Sequence, residues 1–188
     1  MIQTLVFFLE EPSAREMLEG VLPSVIPDDI QIRYIVFQGK QDLEKQIIKK
    51  LRGWRVPNTF FVIMRDQDNG NCMEIKENLL QKCRDAHAEN TLVRIACTEL
   101  ETFYLGDLQA VEQGLAIPGL SKKQTERKFR DPDLLMSPSD ELRKITKDKY
   151  QKMGGSRAIG PYLHTDDSNL SRSFNVLIRG VRDIFETV

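Results

Sequence analysis

The chain has 188 residues, 40% hydrophobic and 29% charged, with a formal net charge of −1. That length and balance suit one globular domain with a sizeable core and room for a small appendage, and they exclude a polycationic chain. Mean hydropathy is −0.38, and no apolar stretch approaches the roughly 20 residues of a membrane-spanning helix. The first apolar run has no basic leader and no small-residue cleavage site, so no signal peptide is expected. Cys72, Cys83 and Cys97 form no CxxC pair, and an odd count without a secretory signal fits a reducing cytoplasm. Cys97, inside an apolar run, is expected in the core. A zinc site is not expected, because only His87 and His164 are available and neither has ligand spacing.

Strand and helix signals alternate over the first 105 residues. Leu5–Leu9 reads as a continuous apolar strand buried on both faces. A helix over Ala14–Leu22 follows, with Ser13 as its N-cap, and Pro23 and Pro27 break it. Ile32–Phe37 is a second strand, ended by Gly39. Asp42–Leu51 is an amphipathic helix with Leu43, Ile47, Ile48 and Leu51 at helical spacing. The third strand is Thr59–Met64. Asn69-Gly70-Asn71 turns the chain into a helix over Glu74–His87, whose acidic start and basic end suit the helix dipole. Leu92–Ala96 is a fourth strand, and Glu99–Leu105 a helical turn.

This alternation predicts an α/β fold: a mainly parallel sheet of about four strands with helices on both faces. Beyond Gly106 the β signal vanishes. Helices are expected at Leu108–Leu115, Gln124–Phe129, Asp140–Lys147 and Phe174–Thr187, with Asp131-Pro132-Asp133, Ser137-Pro138-Ser139 and Gly154-Gly155 in loops between them. The expected division is an α/β core over 1–105 and a helical, loop-rich C-terminal extension over 106–188.

Carboxylates gather where the strands end. Glu10 and Glu11 follow strand one, Asp66 and Asp68 follow strand three, Glu99 and Glu101 follow strand four, and Asp107 lies just beyond. In open α/β sheets, sites lie at the C-terminal edge of the strands. Asp66-Gln67-Asp68 places two carboxylates that face the same way if the segment is extended. Hard oxygen donors of this kind suit Mg²⁺ or Mn²⁺, with waters and phosphate oxygens filling the other positions. Glu10 is a candidate third ligand or general acid/base. Glu99 and Glu101 serve equally well as metal ligands or as acids at a helix N-terminus.

The charge is uneven. Residues 121–157 carry 11 Lys and Arg against 6 Asp and Glu, while residues 1–120 carry 13 against 18. A basic segment beside an acidic site can position a polyanion, and it can equally be a solvated helical face. Lys122, Lys123, Arg127 and Lys128 are the candidate backbone contacts, joined by Lys40 and Arg172. Gln38-Gly39-Lys40 is not a phosphate-binding P-loop, although its lysine follows strand two. The basic segment has no interleaved aromatics for base stacking. Trp54 is read as a packing residue.

Glu10, the Asp66-Gln67-Asp68 triplet and the βα alternation resemble the Toprim fold of topoisomerases, bacterial primases and overcoming-lysogenization-defect nucleases. Nearly the whole chain is similar to an uncharacterised bacterial family of small Toprim-like proteins. The segments that carry this are Phe7–Ser13, Val36–Lys40, Val93–Glu101, Arg130–Asp133 and Ser171–Phe174. The resemblance implies that Glu10, Asp66 and Asp68 hold Mg²⁺ (or Mn²⁺) for phosphoryl transfer, with Glu99 and Glu101 in the acidic stretch after strand four. It also implies a nucleic-acid substrate, DNA or RNA, and a partner AAA or ABC-type ATPase from a neighbouring gene, in phage defence or mobile-element biology.

Two positions depart from the Toprim pattern. Glu11 stands where glycine is expected, and Ala14 where a further acid is expected. Two functions therefore stay open: a metal-dependent nuclease or nucleotidyl-transfer protein, or a catalytically weak Toprim-like interaction subunit of the ATPase. A phosphatase on small phosphates ranks last, for want of a covalent-phosphorylation motif. The expected protein is cytoplasmic, without a membrane partner, and a homodimer is left open.

Overall fold

A computed structural model describes residues 1–186. Four strands, β1 (Thr4–Leu9), β2 (Gln31–Val36), β3 (Thr59–Asp66) and β4 (Thr91–Ala96), form one sheet in the order β2-β1-β3-β4. Every pairing is parallel, with Leu9 level with Val36 on one side and with Met64 on the other. The four-stranded parallel sheet read from the apolar runs is borne out. β1 is wholly buried, as its unbroken run of apolar residues requires of a strand covered on both faces.

Side-chain alternation divides the sheet into two cores. Leu5, Phe7, Leu9, Val62, Met64 and Ala96 face one layer, while Val6, Phe8, Phe61, Ile63, Val93 and Ile95 face the other. The second layer is closed by α2 (Lys40–Gly53) and α3 (Cys72–Asp85), through Leu43, Ile47, Leu79 and Cys83. The first is closed by α1 (Pro12–Val21) and by the chain after residue 100. That later chain comprises α4 (Glu101–Leu105), α5 (Leu108–Gly114), α6 (Pro138–Ile145), α7 (Lys152–Ile159) and α8 (Arg172–Glu186), linked by short 3-10 turns. Crossovers leave β1 in one direction and β3 in the other. Right-handed connections therefore put α1 and α3 on opposite faces. The crevice at this switch of direction opens between the C-terminal ends of β1 and β3.

The helix expectations need three corrections. α1 begins at Pro12, its N-cap is Glu11, and Ser13 is buried inside the first turn. The expected helix over Gln124–Phe129 is two 3-10 turns, Leu120–Thr125 and Arg127–Phe129. Gly154-Gly155, read as loop, lies inside α7. Local propensity argues against glycine in a helix, but packing decides here, because a side chain at Gly155 would overlap the ring of Tyr150. Cys97 is half-exposed at the end of β4 rather than in the core, and all three cysteines are free. Thr187, expected to end the last helix, lies outside the described residues. No helix among those residues is long and apolar enough to cross a membrane.

The adjacent glycines of α7 give a paired test. Gly155→Ala should lower stability by about 1–3 kcal/mol through overpacking against Tyr150. Gly154, with open space around its Cα, should gain about 0.4–1 kcal/mol as alanine. Urea denaturation of both variants checks the opposite signs.

Candidate active site

The sheet edge brings Glu10, Asp66 and Asp68 together. Glu10 leaves β1 and Asp66 ends β3, two strands that are hydrogen-bonded neighbours. The Asp66 amide donates to the Glu10 carboxylate at 3.3 Å. Two residues on, the chain turns sharply: Asp68 has φ +52°, a left-handed conformation that Asp tolerates better than most residues. Its amide donates to the Thr98 carbonyl at 2.7 Å. The triplet is therefore not the extended segment expected from its spacing. A strand end followed by a turn brings both carboxylates toward Glu10.

The electrostatics follow from this crowding. Glu10 is pushed above the ordinary carboxylate range, first by burial and then by Asp68 and Glu11, against a lowering bond from the Asp66 amide. Asp66 is raised further, by burial first and then by Glu11, Glu10 and Glu101; the Leu100 amide bonded to it only partly offsets this. Like charges share a poorly solvated crevice. A lysine stands at each end of this row. Lys40 Nζ donates to Asp68 at 2.7 Å. Lys152 Nζ reaches Glu11 at 3.2 Å. Burial alone would lower the Lys152 amine, but Glu101, Glu11 and Asp66 outweigh it and raise it. Behind Glu10, Arg65 stands with its Nε 3.8 Å from the carboxylate and its other end paired with Glu44 on α2.

Glu101 lies deepest. It is fully buried at the start of α4. One carboxylate oxygen accepts the Tyr150 hydroxyl at 2.9 Å, and the other, Oε2, is buried without a hydrogen-bond partner. Tyr150 packs beside Tyr104, whose hydroxyl donates to Ser156 Oγ at 2.7 Å. Two other expected acids point elsewhere. Glu99 accepts the Ser139 amide at 2.7 Å and so caps the start of α6, where negative charge is favourable. Asp107 caps α5 through the Ala110 amide and holds His164 Nδ1 at 2.8 Å.

The two departures from the Toprim pattern have distinct surroundings. Glu11 accepts the Ser13 hydroxyl at 2.7 Å and pairs with Lys152, and its charge still reaches Asp66. Ala14 is buried in the core of that face.

The candidate cationic residues divide. Lys40 is in the site, while Lys122, Lys123, Arg127 and Lys128 are exposed on the 3-10 turns. Lys123 pairs with Glu126, and Lys128 with Glu141. Arg172 is exposed at the start of α8. Its neighbours Ser171 and Ser173 bind the Asp133 carboxylate, through Ser171 Oγ at 2.7 Å and the Ser173 amide at 2.8 Å. Sequence reasoning missed Lys152, Tyr150, Arg65 and Asp133 as parts of this region. Lys152 and Tyr150 come from the far end of the chain and carry no local signal.

A family model described as "Domain of unknown function (DUF4276)" matches residues 9–182. The chain belongs to the DUF4276 family. The match begins beside Glu10 and includes every acid of the site. No functionally curated protein matches this DUF4276 chain in sequence. Among solved structures, the C-terminal region of the Burkholderia pseudomallei OLD protein is similar over 95% of this chain and 97% of that one, with a TM-score of 0.57 and 15% identity. At that identity the likeness establishes a shared fold.

The crowding makes a signed prediction. A carboxyl raised above its ordinary value of 3.8 costs nothing to fold below that pH, where both states bind the proton. The cost grows as pH rises through the interval up to the raised folded value, and it is complete above it. Asp66→Asn keeps the acceptor for Leu100 and removes the charge. It should raise Tm by about 2–4 °C at neutral pH, the shift that 1 kcal/mol gives a domain of this size. The gain should shrink as pH falls. Thermal melts at several pH values check both the sign and the trend.

Proposed function

We propose that this DUF4276 protein is a Mg²⁺- or Mn²⁺-dependent nuclease that cleaves phosphodiesters of nucleic acid. The observation that carries the reading is the placement of Glu10 and Asp66 at neighbouring strand ends, at the switch point of the sheet, with their carboxyls pushed up by burial first and by neighbouring negative charge after it. An excess of hard oxygen donors in a poorly solvated crevice is what a small divalent cation neutralises. The donor chemistry fits such an ion, and the buried, unpartnered Oε2 of Glu101 supplies a further oxygen beside Asp66. Glu10, Asp66 and Asp68 would hold it, with Glu101 in support. A bound ion of this kind supplies Lewis acidity, offsetting phosphate charge and lowering the pKa of a bound water. The chain's own residues do the rest. Lys40 and Lys152 exchange their carboxylate partners for phosphate oxygens as the substrate enters. Arg65, 3.8 Å from Glu10, offsets its charge, and the Tyr150 hydroxyl fixes Glu101.

The resemblance to Toprim nucleases, and a fold shared with one region of the OLD protein, support the wider reading. In it the protein works in phage defence or mobile-element biology beside a separate AAA or ABC-type ATPase. A second reading, an interaction subunit with a weak or silent site, is favoured by one specific observation. Among the described residues no three His, Cys, Asp or Glu side chains already converge at metal-binding distance, and Lys40 and Lys152 neutralise Asp68 and Glu11.

Calorimetric titration of Mg²⁺ and Mn²⁺ into the metal-free protein, followed by cleavage assays on labelled oligonucleotides, separates the two. The nuclease reading expects saturable binding, cleavage that stops with chelator, and a loss of rate of at least about a hundredfold in Asp66→Asn. Full cleavage by that variant overturns it. A protein that binds no metal even with oligonucleotide present, yet forms a complex with a co-expressed ATPase, is the interaction subunit.

A further inference from the structure

The loop over residues 131–137 presents two large apolar side chains to solvent next to the acids. Leu134 is 76% exposed and Met136 83% exposed. Isolated apolar residues on a surface are ordinary; these two flank Leu135 on a segment held fast at both ends. On one side, the Asp133 carboxylate is bonded to Ser171 Oγ and to the Ser173 amide. On the other, the Leu135 carbonyl accepts Thr98 Oγ1 at 3.0 Å, and the Thr98 carbonyl accepts the Asp68 amide at 2.7 Å. Two hydrogen bonds thus connect the loop to the aspartate triplet.

Beside it lies a groove of about 370 Å³ lined by Arg127, Lys128, Asp131, Leu134 and Leu135. Its chemistry is divided: aliphatic side chains on one part, cationic ones on another, and one carboxylate. Arg127 and Arg172, both exposed, form no ion pair among the described residues. An aliphatic surface with the Arg127 guanidinium and the Lys128 amine beside it matches a nucleotide, whose base is apolar on its face and whose phosphate is anionic. The Asp131 carboxylate can accept from the exocyclic amine of a base. Apolar side chains that enter nucleic acid act as wedges between base steps.

We propose that this groove holds a base unstacked from its neighbour, with Leu134 and Met136 as the wedge, next to the phosphate that enters the acidic site. The inference rests on the nuclease reading and specifies its substrate. Single-stranded or frayed nucleic acid is preferred over intact duplex, because its bases are already free to turn outward. Arg127 and Arg172 hold flanking phosphates and contribute no preference between strand states.

Fluorescence anisotropy tests it, with a short labelled single strand and the matching duplex, and Ca²⁺ in place of Mg²⁺ to hold off cleavage. The wild type should bind the single strand more tightly. Leu134→Ser/Met136→Ser, at exposed positions where folding is checked by circular dichroism, should weaken single-strand binding about tenfold while leaving duplex affinity and salt dependence unchanged. Arg127→Gln should instead lower the slope of log K against log salt by about 1 and weaken both forms alike. Unchanged single-strand affinity in the double variant, or equal losses on strand and duplex, overturns the wedge and leaves the nuclease reading standing. A wild type that binds neither form overturns both.

Discussion

Carboxylates held close together in a poorly solvated crevice repel, and the surrounding structure has to bear that repulsion. Each strand end that delivers an acid here is fixed by something other than the acid itself. Glu10 follows a strand with no exposed residue, and Asp66 ends one paired on both sides. Neither can retreat without breaking the parallel ladder, so the cost appears as raised carboxyl pKa values and not as a rearranged edge. Cations at the rim limit that cost. Lys40, Arg65 and Lys152 approach the row from α2, from β3 and from α7. Such a site sacrifices stability for readiness to take up positive charge, which is a common balance at functional sites.

Lys152 and Glu101 show how the C-terminal half takes part. The lysine is at the first position of α7, which packs against α1. Tyr150, just ahead of it, bonds to the buried Glu101. Gly155 lets the Tyr150 ring lie against the helix. One glycine, one ring and one hydroxyl thus set the position of an acid on α4 and a base on α7 at once. A change in any of them reaches the site without touching Glu10 or Asp66, and the C-terminal half is as much a part of the site's scaffold as the sheet.

The sheet was legible from sequence because its signals are local. An unbroken apolar run marks a doubly covered strand, and the acids after it mark the exposed edge. Glu10, Asp66 and Asp68 could be read together for that reason. What escaped depends on contacts between distant segments. α7 was hidden by Gly154-Gly155, since close packing against Tyr150 cannot be seen in propensity. Glu99 and Glu101 are two residues apart in one acidic stretch, yet one caps α6 and the other is buried near Asp66. The difference lies in Ser139 and Tyr150, which no spacing rule relates to either. The Asp133 contact with Ser171 and Ser173 joins two segments that the sequence showed only as separate pieces of a family pattern.

Glu11 and Ala14 change meaning in this light. An extra acid at position 11 would add to the repulsion if it faced Asp66 alone. It also has the Ser13 hydroxyl on one side and the Lys152 amine on the other, so part of its charge is offset before any ligand arrives, although it still raises Asp66. Ala14 sits in the core under the first turn of α1, where a carboxylate would be buried unless it turned toward the row of acids. A lysine matched to Glu11 at one end, and one matched to Asp68 at the other, leave between them Glu10, which Arg65 approaches only to 3.8 Å, and Asp66, which has no ion pair among the described residues, as the least neutralised centre. The charge that the site has still to satisfy is therefore concentrated on two residues. The divalent cation proposed there, if single, would need fewer protein ligands than a pair of ions.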